Sequence, residues 1–204
     1  MMCYASRTGT RRNLAALRNA GWGLLVSRAG AWRTEGFDRY VLDNGAWSDY
    51  LAGRPFDADA FERLIETLGA GADWLVLPDI VAGGAHSLEL SLRWSNRCLS
   101  VCSMVLIAVQ DGMQENDLEH LVGPNVGVFL GGSTQWKLAT MAMWGSFCQR
   151  HGIYYHVARV NTERRMWMAI AVGADSIDGS SASRYAVTLP LLDRAARQTD
   201  LFAP

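Results

Sequence analysis

The sequence predicts a single α/β domain folded as a (β/α)8 TIM-type barrel, and three observations carry that prediction. Eight apolar runs of strand length recur along 204 residues. Most are continuous rather than alternating, the pattern of parallel strands buried on both faces. Between most of them lies a stretch of helical periodicity, so that strand and helix alternate. An open, doubly wound sheet is the alternative arrangement of the same elements. The length suits one core, and the domain is expected to span residues 1–204.

The elements follow in order. MCYAS, WGLLVS and RYVLDN read as the first three strands, and the link from Arg28 to Arg39 is too short for a full helix. After RPFD, Asp57 is a suitable N-cap, because its carboxylate can accept a hydrogen bond from a first-turn amide. Phe61, Leu64, Ile65 and Leu68 follow at i, i+3, i+4 and i+7 and form one apolar face, which Gly69 and Gly71 end. DWLVLPD is the fourth strand, and a helix opening near Ser87 and passing through Trp94 leads to the fifth, VLIAVQ. NVGVFLG is the sixth, and Thr134 opens a helix that carries Trp136, Met141, Trp144 and Phe147. YYHVAR is the seventh; Asn161, with Thr162 and Glu163 in the first turn, opens a helix that Gly173 closes. ADSIDG is the eighth, and Thr188 with Pro190 starts the last helix.

Composition narrows the function classes. Half the residues are apolar and 19% are charged, which is globular and not disordered composition. No apolar stretch of signal-peptide length opens the chain and no apolar run reaches 18 residues, so a cytosolic protein without a membrane partner is expected. Cys3, Cys98, Cys102 and Cys148 are expected to remain thiols. Cys98 with Cys102 and Cys148 with His151 have helical spacing, but they fall on different predicted helices, and no metal is expected. A net charge of −1 excludes a basic field over the whole molecule. The cluster Arg7, Arg11, Arg12 nevertheless falls in one loop region, and guanidinium forks suit phosphates.

In a barrel the carboxyl ends of all strands open on one face. Those ends read Ser6-Arg7, Ser27-Arg28, Asp43-Asn44-Gly45, Pro78-Asp79, Gln110-Asp111-Gly112, Gly131-Gly132, Arg159 and Asp178-Gly179. Any one of these is as well explained by a helix cap or a turn. Asp43, Asp79 and Asp178, a glutamine and a Gly-Gly pair converging on one mouth point to a site, without specifying a reaction.

At these residues the chain resembles the tRNA-guanine transglycosylase superfamily. VLDNGAW, DWLVLPD, IAVQDG, FLGGS and HVARVNTERRMWMAIAVGADSIDGS resemble, in order, five segments of that family between about residues 40 and 180. The family's Cys-x-Cys-x-x-Cys zinc module has no counterpart here. A short, zinc-less form is similar to the phage-type DNA 7-deazaguanine transglycosylases (DpdA-like). The resemblance implies a pentosyltransferase that exchanges guanine in DNA for a 7-deazaguanine through a covalent aspartyl intermediate, with no cofactor. Its implied partners are DNA, with RNA as the alternative polymer, and a free deazaguanine base.

The resemblance also assigns roles. Asp178 is matched to the nucleophile and Asp43 to the second catalytic acid, with small residues Gly179, Ser180 and Ser181 letting a sugar-phosphate approach. Trp47 would stack on the base, Asp79 would accept from its amine edge, and Gln110 with the Gly131-Gly132 backbone would bind its carbonyl. Ala158 falls where the family has a second stacking residue. Arg159, Arg184, Arg7, Arg11 and Arg12 would contact phosphate, an ion pair being the equal alternative for Arg159 and Arg184. His156 reads as a packed core histidine. Other readings are a queuine-type tRNA enzyme, a non-catalytic nucleobase-binding barrel, and a small barrel aldolase or epimerase. The last would need a Schiff-base lysine or a metal set, and the sole lysine, Lys137, lies in a predicted helix.

Overall fold

The fold is seen in a computed structural model that describes residues 1–7, 10–34 and 36–198. Eight parallel strands close on themselves in sequence order: β1 (Met2–Ser6), β2 (Gly23–Ser27), β3 (Tyr40–Asp43), β4 (Leu75–Val76), β5 (Val105–Val109), β6 (Val126–Leu130), β7 (Tyr155–Val157) and β8 (Ser176–Gly179). Closure is made by β1 pairing β8, with Tyr4 opposite Asp178. The expected (β/α)8 barrel is the observed fold.

The helices are α1 (Arg11–Asn19), α2 (Ala46–Leu51), α3 (Ala58–Leu68), α4 (Gly84–Leu99), α5 (Thr134–His151), α6 (Glu163–Ala171), α7 (Ser181–Arg184) and α8 (Thr188–Arg197). Asp57 caps α3 as anticipated, accepting from the Ala60 amide at 2.9 Å. Two starts differ from the sequence reading. Helix α4 begins at Gly84, ahead of Ser87, whose hydroxyl instead accepts from the Ile80 amide. Helix α6 is capped by Thr162, which frees Asn161 for another task. Helix α1, capped by Thr10, and the six-residue α2 were not singled out in the sequence. Among the described residues the links β2–β3 and β5–β6 carry no α-helix; the second holds a single 3₁₀ turn at Glu115–Asp117. No helix is long and apolar enough to cross a membrane among the described residues.

Strand alternation divides the apolar side chains into two cores. Leu24, Leu42, Leu75, Val105, Val128 and Ile177 face outward and pack under the helices with Trp144, Phe147 and all four cysteines. Tyr4, Leu25, Val41, Trp74, Val76 and Leu106 fill the barrel itself, with Phe129 and Tyr154 against them. The interior is crowded, and one glycine shows how crowded. A Cβ on Gly23 would lie 2.6 Å from the Tyr4 ring, so the strand beside Tyr4 must lack a side chain at that level. Gly23→Ala is therefore expected to destabilise the fold by about 1–3 kcal/mol through overpacking, read as a lower urea midpoint at unchanged slope.

Candidate active site at the barrel mouth

The strand ends surround a cavity of about 590 Å³ whose lining includes Ser6, Arg7, Ser27, Asp43, Trp47, Asp79, Gln110, Gly131, Ala158, Arg159, Asp178 and Arg184. Nearly every polar strand end named from the sequence is at this mouth. What the sequence does not show is that most of them are bonded to one another.

A chain of hydrogen bonds runs around the mouth from the end of β2 to β8. Arg28, ion-paired to Asp49, donates from Nε to the Asn44 carbonyl at 2.9 Å. Asn44 donates from Nδ2 to Asp79 Oδ1 at 2.6 Å, and Gln110 donates from Nε2 to Asp79 Oδ2 at 2.5 Å. Gln110 Oε1 accepts from the Gly132 amide at 3.1 Å and from the Ala82 amide at 3.2 Å. The Gly132 carbonyl accepts from the Arg159 guanidinium, and the Arg159 amide donates to Asp178 Oδ1 at 3.0 Å. Asp79, Gln110 and the Gly132 amide, expected to read a ligand edge, thus satisfy each other. Asn44 and Arg28 complete the ring and carried no role in the sequence reading; Asn44 sits beside Asp43 in the strand-end list, which was the available signal.

Arg159 is held in the left-handed region, φ 58°. Its guanidinium lies 4.3 Å from the centroid of the Trp47 ring, which also stacks on Tyr50 at 5.7 Å. The aromatic expected to stack on a ligand base is therefore engaged by a cation and a second ring. Arg7 and Arg184 line the cavity on the β8–β1 side. Arg11 and Arg12 do not: Thr10 starts α1 immediately, and the helix turns Asn13 and Leu17 inward and both arginines out to solvent.

The small residues after Asp178 have packing reasons. A Cβ on Gly179 would lie 2.5 Å from the Val160 carbonyl oxygen. The amides of Ser180 and Ser181 both donate to Asn161 Oδ1, at 3.0 and 2.9 Å. Asn161 therefore satisfies the turn into α7, and Asp178 is not its cap. The Asp178 carboxylate instead takes the Arg159 amide and His156 Nε2 on Oδ1, the latter at 3.1 Å.

Two carboxyls have strongly displaced acidities. Burial pushes Asp43 up to about 6, the charge of Asp178 adds to the rise, and the Ser27 hydroxyl and the Gly45 amide oppose it. The Gly45 amide donates at 3.1 Å, whereas Ser27 Oγ makes no hydrogen bond of good geometry. Burial pushes Asp79 up to about 7, against the hydrogen bonds from Asn44 and Gln110. Among the described residues no three His, Cys, Asp or Glu side chains come together as a metal-holding group. The four cysteines are buried thiols, and burial raises Cys3, Cys98 and Cys148 to about 12.

Fold and site together define a parallel (β/α)8 barrel with an acidic, arginine-rimmed mouth. No family model matches the chain, and no curated protein matches it. Among solved structures it is similar to the HpcH/HpaI aldolase from Desulfitobacterium hafniense DCB-2, at 9% sequence identity and a TM-score of 0.52, the match covering all of this chain and 95% of that one. At that identity the likeness shows the fold. The resemblance to the tRNA-guanine transglycosylase superfamily is not upheld: no family model supports it, and the solved structure it is similar to is an HpcH/HpaI aldolase. Guanine exchange in DNA, the glycosyltransferase class and the two nucleobase alternatives fall with it. The physical reason is visible in the ring, where groups assigned to a purine edge are already paired.

Two substitutions separate the ring from the free carboxyl. Asp79→Asn puts an amide N–H against one of two amide donors, and is expected to destabilise by about 1–3 kcal/mol in urea unfolding, the usual cost of an unsatisfied buried donor. Asp43→Asn keeps an acceptor for the Gly45 amide and is expected to fold normally. With Asp43 and Asp79 raised from 3.8 to about 6 and about 7, the folded state binds more protons than the unfolded chain in that window. Stability should consequently fall as pH climbs from about 4 to about 7. Asp43→Asn should flatten part of that slope and melt no lower than wild type at pH 8, as differential scanning calorimetry would record.

Proposed function

We propose that the chain is an acid–base enzyme of the lyase type that makes and breaks bonds next to the carbonyl of a small 2-oxo acid. The observation that carries this reading is the pair Asp178 and Asp43 on one cavity, with Asp43 pushed up to about 6 partly by the charge of Asp178. A carboxyl that burial keeps protonated can serve as the acid while a second carboxyl on the same cavity serves as the base. The aldolase neighbour agrees with this chemistry but supplies only the fold.

In this reading Asp178 takes a proton from the carbon beside the carbonyl, the C–H electrons move into the enol, and Asp43 delivers its proton to the carbonyl oxygen. In the cleavage direction Asp178 takes the proton of a β-hydroxyl and the carbon–carbon bond breaks. The bond's electrons reach the carbonyl oxygen, which Asp43 protonates. The guanidinium of Arg159, partly desolvated at the rim, suits the substrate carboxylate, since an arginine fork pairs with two carboxylate oxygens. Arg7 and Arg184 make the same face attractive to anions.

Solvent exchange tests it directly. In D₂O the enzyme should wash deuterium into the methyl group of pyruvate, followed by proton NMR, faster than buffer alone. The rate should fall as pH rises through about 6, where Asp43 loses its proton. Asp178→Asn should abolish exchange, and Asp43→Asn should slow it by about 10²-fold and remove that pH limb. Absence of exchange with pyruvate, oxaloacetate and 2-oxobutyrate, or exchange indifferent to Asp178→Asn, would overturn the proposal.

A further inference from the structure

Directly beneath the mouth, inside the barrel, lies a polar group that the reaction above does not use. His156 on β7 points inward one level below Ala158 and is fully buried. Its ring is clasped between Phe129, stacked at 4.9 Å and 16°, and Trp74, at 4.6 Å and 60°. Both ring nitrogens are engaged: Nδ1 lies 2.8 Å from Ser176 Oγ and Nε2 lies 3.1 Å from Asp178 Oδ1. Ser176 is itself fully buried, and it faces His156 across the β7–β8 register.

This geometry leaves one consistent proton arrangement. An ionised Asp178 can only accept, so the proton of a neutral imidazole must sit on Nε2. Nδ1 then presents a lone pair, and Ser176 must donate to it. Burial also lowers the His156 pKa below its usual value, in keeping with a neutral ring. Asp178 Oδ1 thus receives two donors, His156 Nε2–H and the Arg159 amide, while among the described residues no hydrogen-bond donor reaches Oδ2.

We propose that His156 is a positioning residue, fixed by Ser176 as its Nε2–H tautomer and by Phe129 and Trp74 in its plane, which clamps Asp178 Oδ1 so that Oδ2 is presented to the cavity as the base. The proposal rests on the reading of Asp178 as that base, yet its structural half can be tested without turnover. The group is not a catalyst, because it is fully buried behind the cavity wall and does not itself line the cavity.

Nitrogen-15 NMR of histidine-labelled protein is the first arm. His156 should show the Nε2–H tautomer and no titration between pH 5 and 8; a titrating ring, or one protonated on Nδ1, would overturn the proposal whatever substrate the enzyme uses. The second arm is pyruvate exchange. His156→Gln, which can return an N–H to Asp178, should retain most of the wild-type rate. His156→Leu should lose about 10²-fold in kcat with KM within twofold, the scale expected when a reacting group is misplaced by about 1 Å. Equal losses in the Gln and Leu variants, or a loss carried by KM rather than kcat, would assign His156 to packing alone. If wild type exchanges no substrate while the tautomer is as stated, the proposed reaction fails and the clamp on Asp178 stands.

Discussion

The hydrogen-bonded ring at the barrel mouth is the constraint on which the rest of the site depends. It passes from Arg28 through Asn44, Asp79, Gln110, Gly132 and Arg159 to Asp178, and so ties the carboxyl ends of seven strands together. Each link is short or partly buried, and polar groups buried together strengthen one another while the loss of any member leaves a partner unsatisfied. Strand β4 has only two paired residues, Leu75 and Val76, so little backbone bonding holds its upper end. Asp79, gripped from both sides by Asn44 and Gln110, supplies what the short strand lacks.

The interior below the ring explains why charge is confined to the top. Tyr4, Trp74 and Phe129 fill the barrel, and an unpaired ion among them would have no solvent to relax around it. The imidazole at that depth, His156, has both nitrogens bonded. Asp43, Asp79 and Asp178 stand at the next level up, on the cavity. Even there burial pushes Asp43 up to about 6 and Asp79 up to about 7. The same alternation that points His156 inward points Asp178 inward in the neighbouring strand, so the clamp follows from register rather than from a loop.

The fold was legible because its signals are local: continuous apolar runs, caps such as Asp57 and the spacing of Phe61, Leu64 and Ile65 do not depend on distant residues. The location of the site was legible for a related reason, since the last polar residue of each run must lie at the mouth. Roles were not legible. Whether Gln110 faces a ligand or Asp79 depends on the stagger between β4 and β5, which no run of residues reveals. The same ambiguity produced the misleading family resemblance. An apolar strand ending in an acid, an amide or a Gly-Gly pair is what a ring of this kind demands of any small barrel, so five such segments in order describe an architecture before they describe a reaction. His156 was read as core packing, and its burial agrees; its bonds to Ser176 and Asp178 lie across strands 20 and 22 residues away and left no trace in the local pattern.

Arg159 shows how the ring and the substrate face are joined in one residue. A non-glycine residue at φ 58° is strained by about 1–3 kcal/mol and persists only where its surroundings hold it. Here the holding groups can be named. Asp178 takes its amide, the Gly132 carbonyl takes its guanidinium, Trp47 underlies that guanidinium, and the carbonyl just before it, on Ala158, accepts from Lys137. Lys137 is the one lysine among 19 basic residues and is fully buried, with burial lowering its pKa to about 7. An arginine could not shed its proton in that position, and its five fixed donors would find a single carbonyl to satisfy them. A lysine can donate to Ala158 in either protonation state, so the peptide ahead of Arg159 keeps its orientation as the buried amine gains or loses charge. The strained backbone is thereby tied to the helix behind it as well as to the ring beside it, and the guanidinium that faces the cavity is set by contacts none of which involve a ligand.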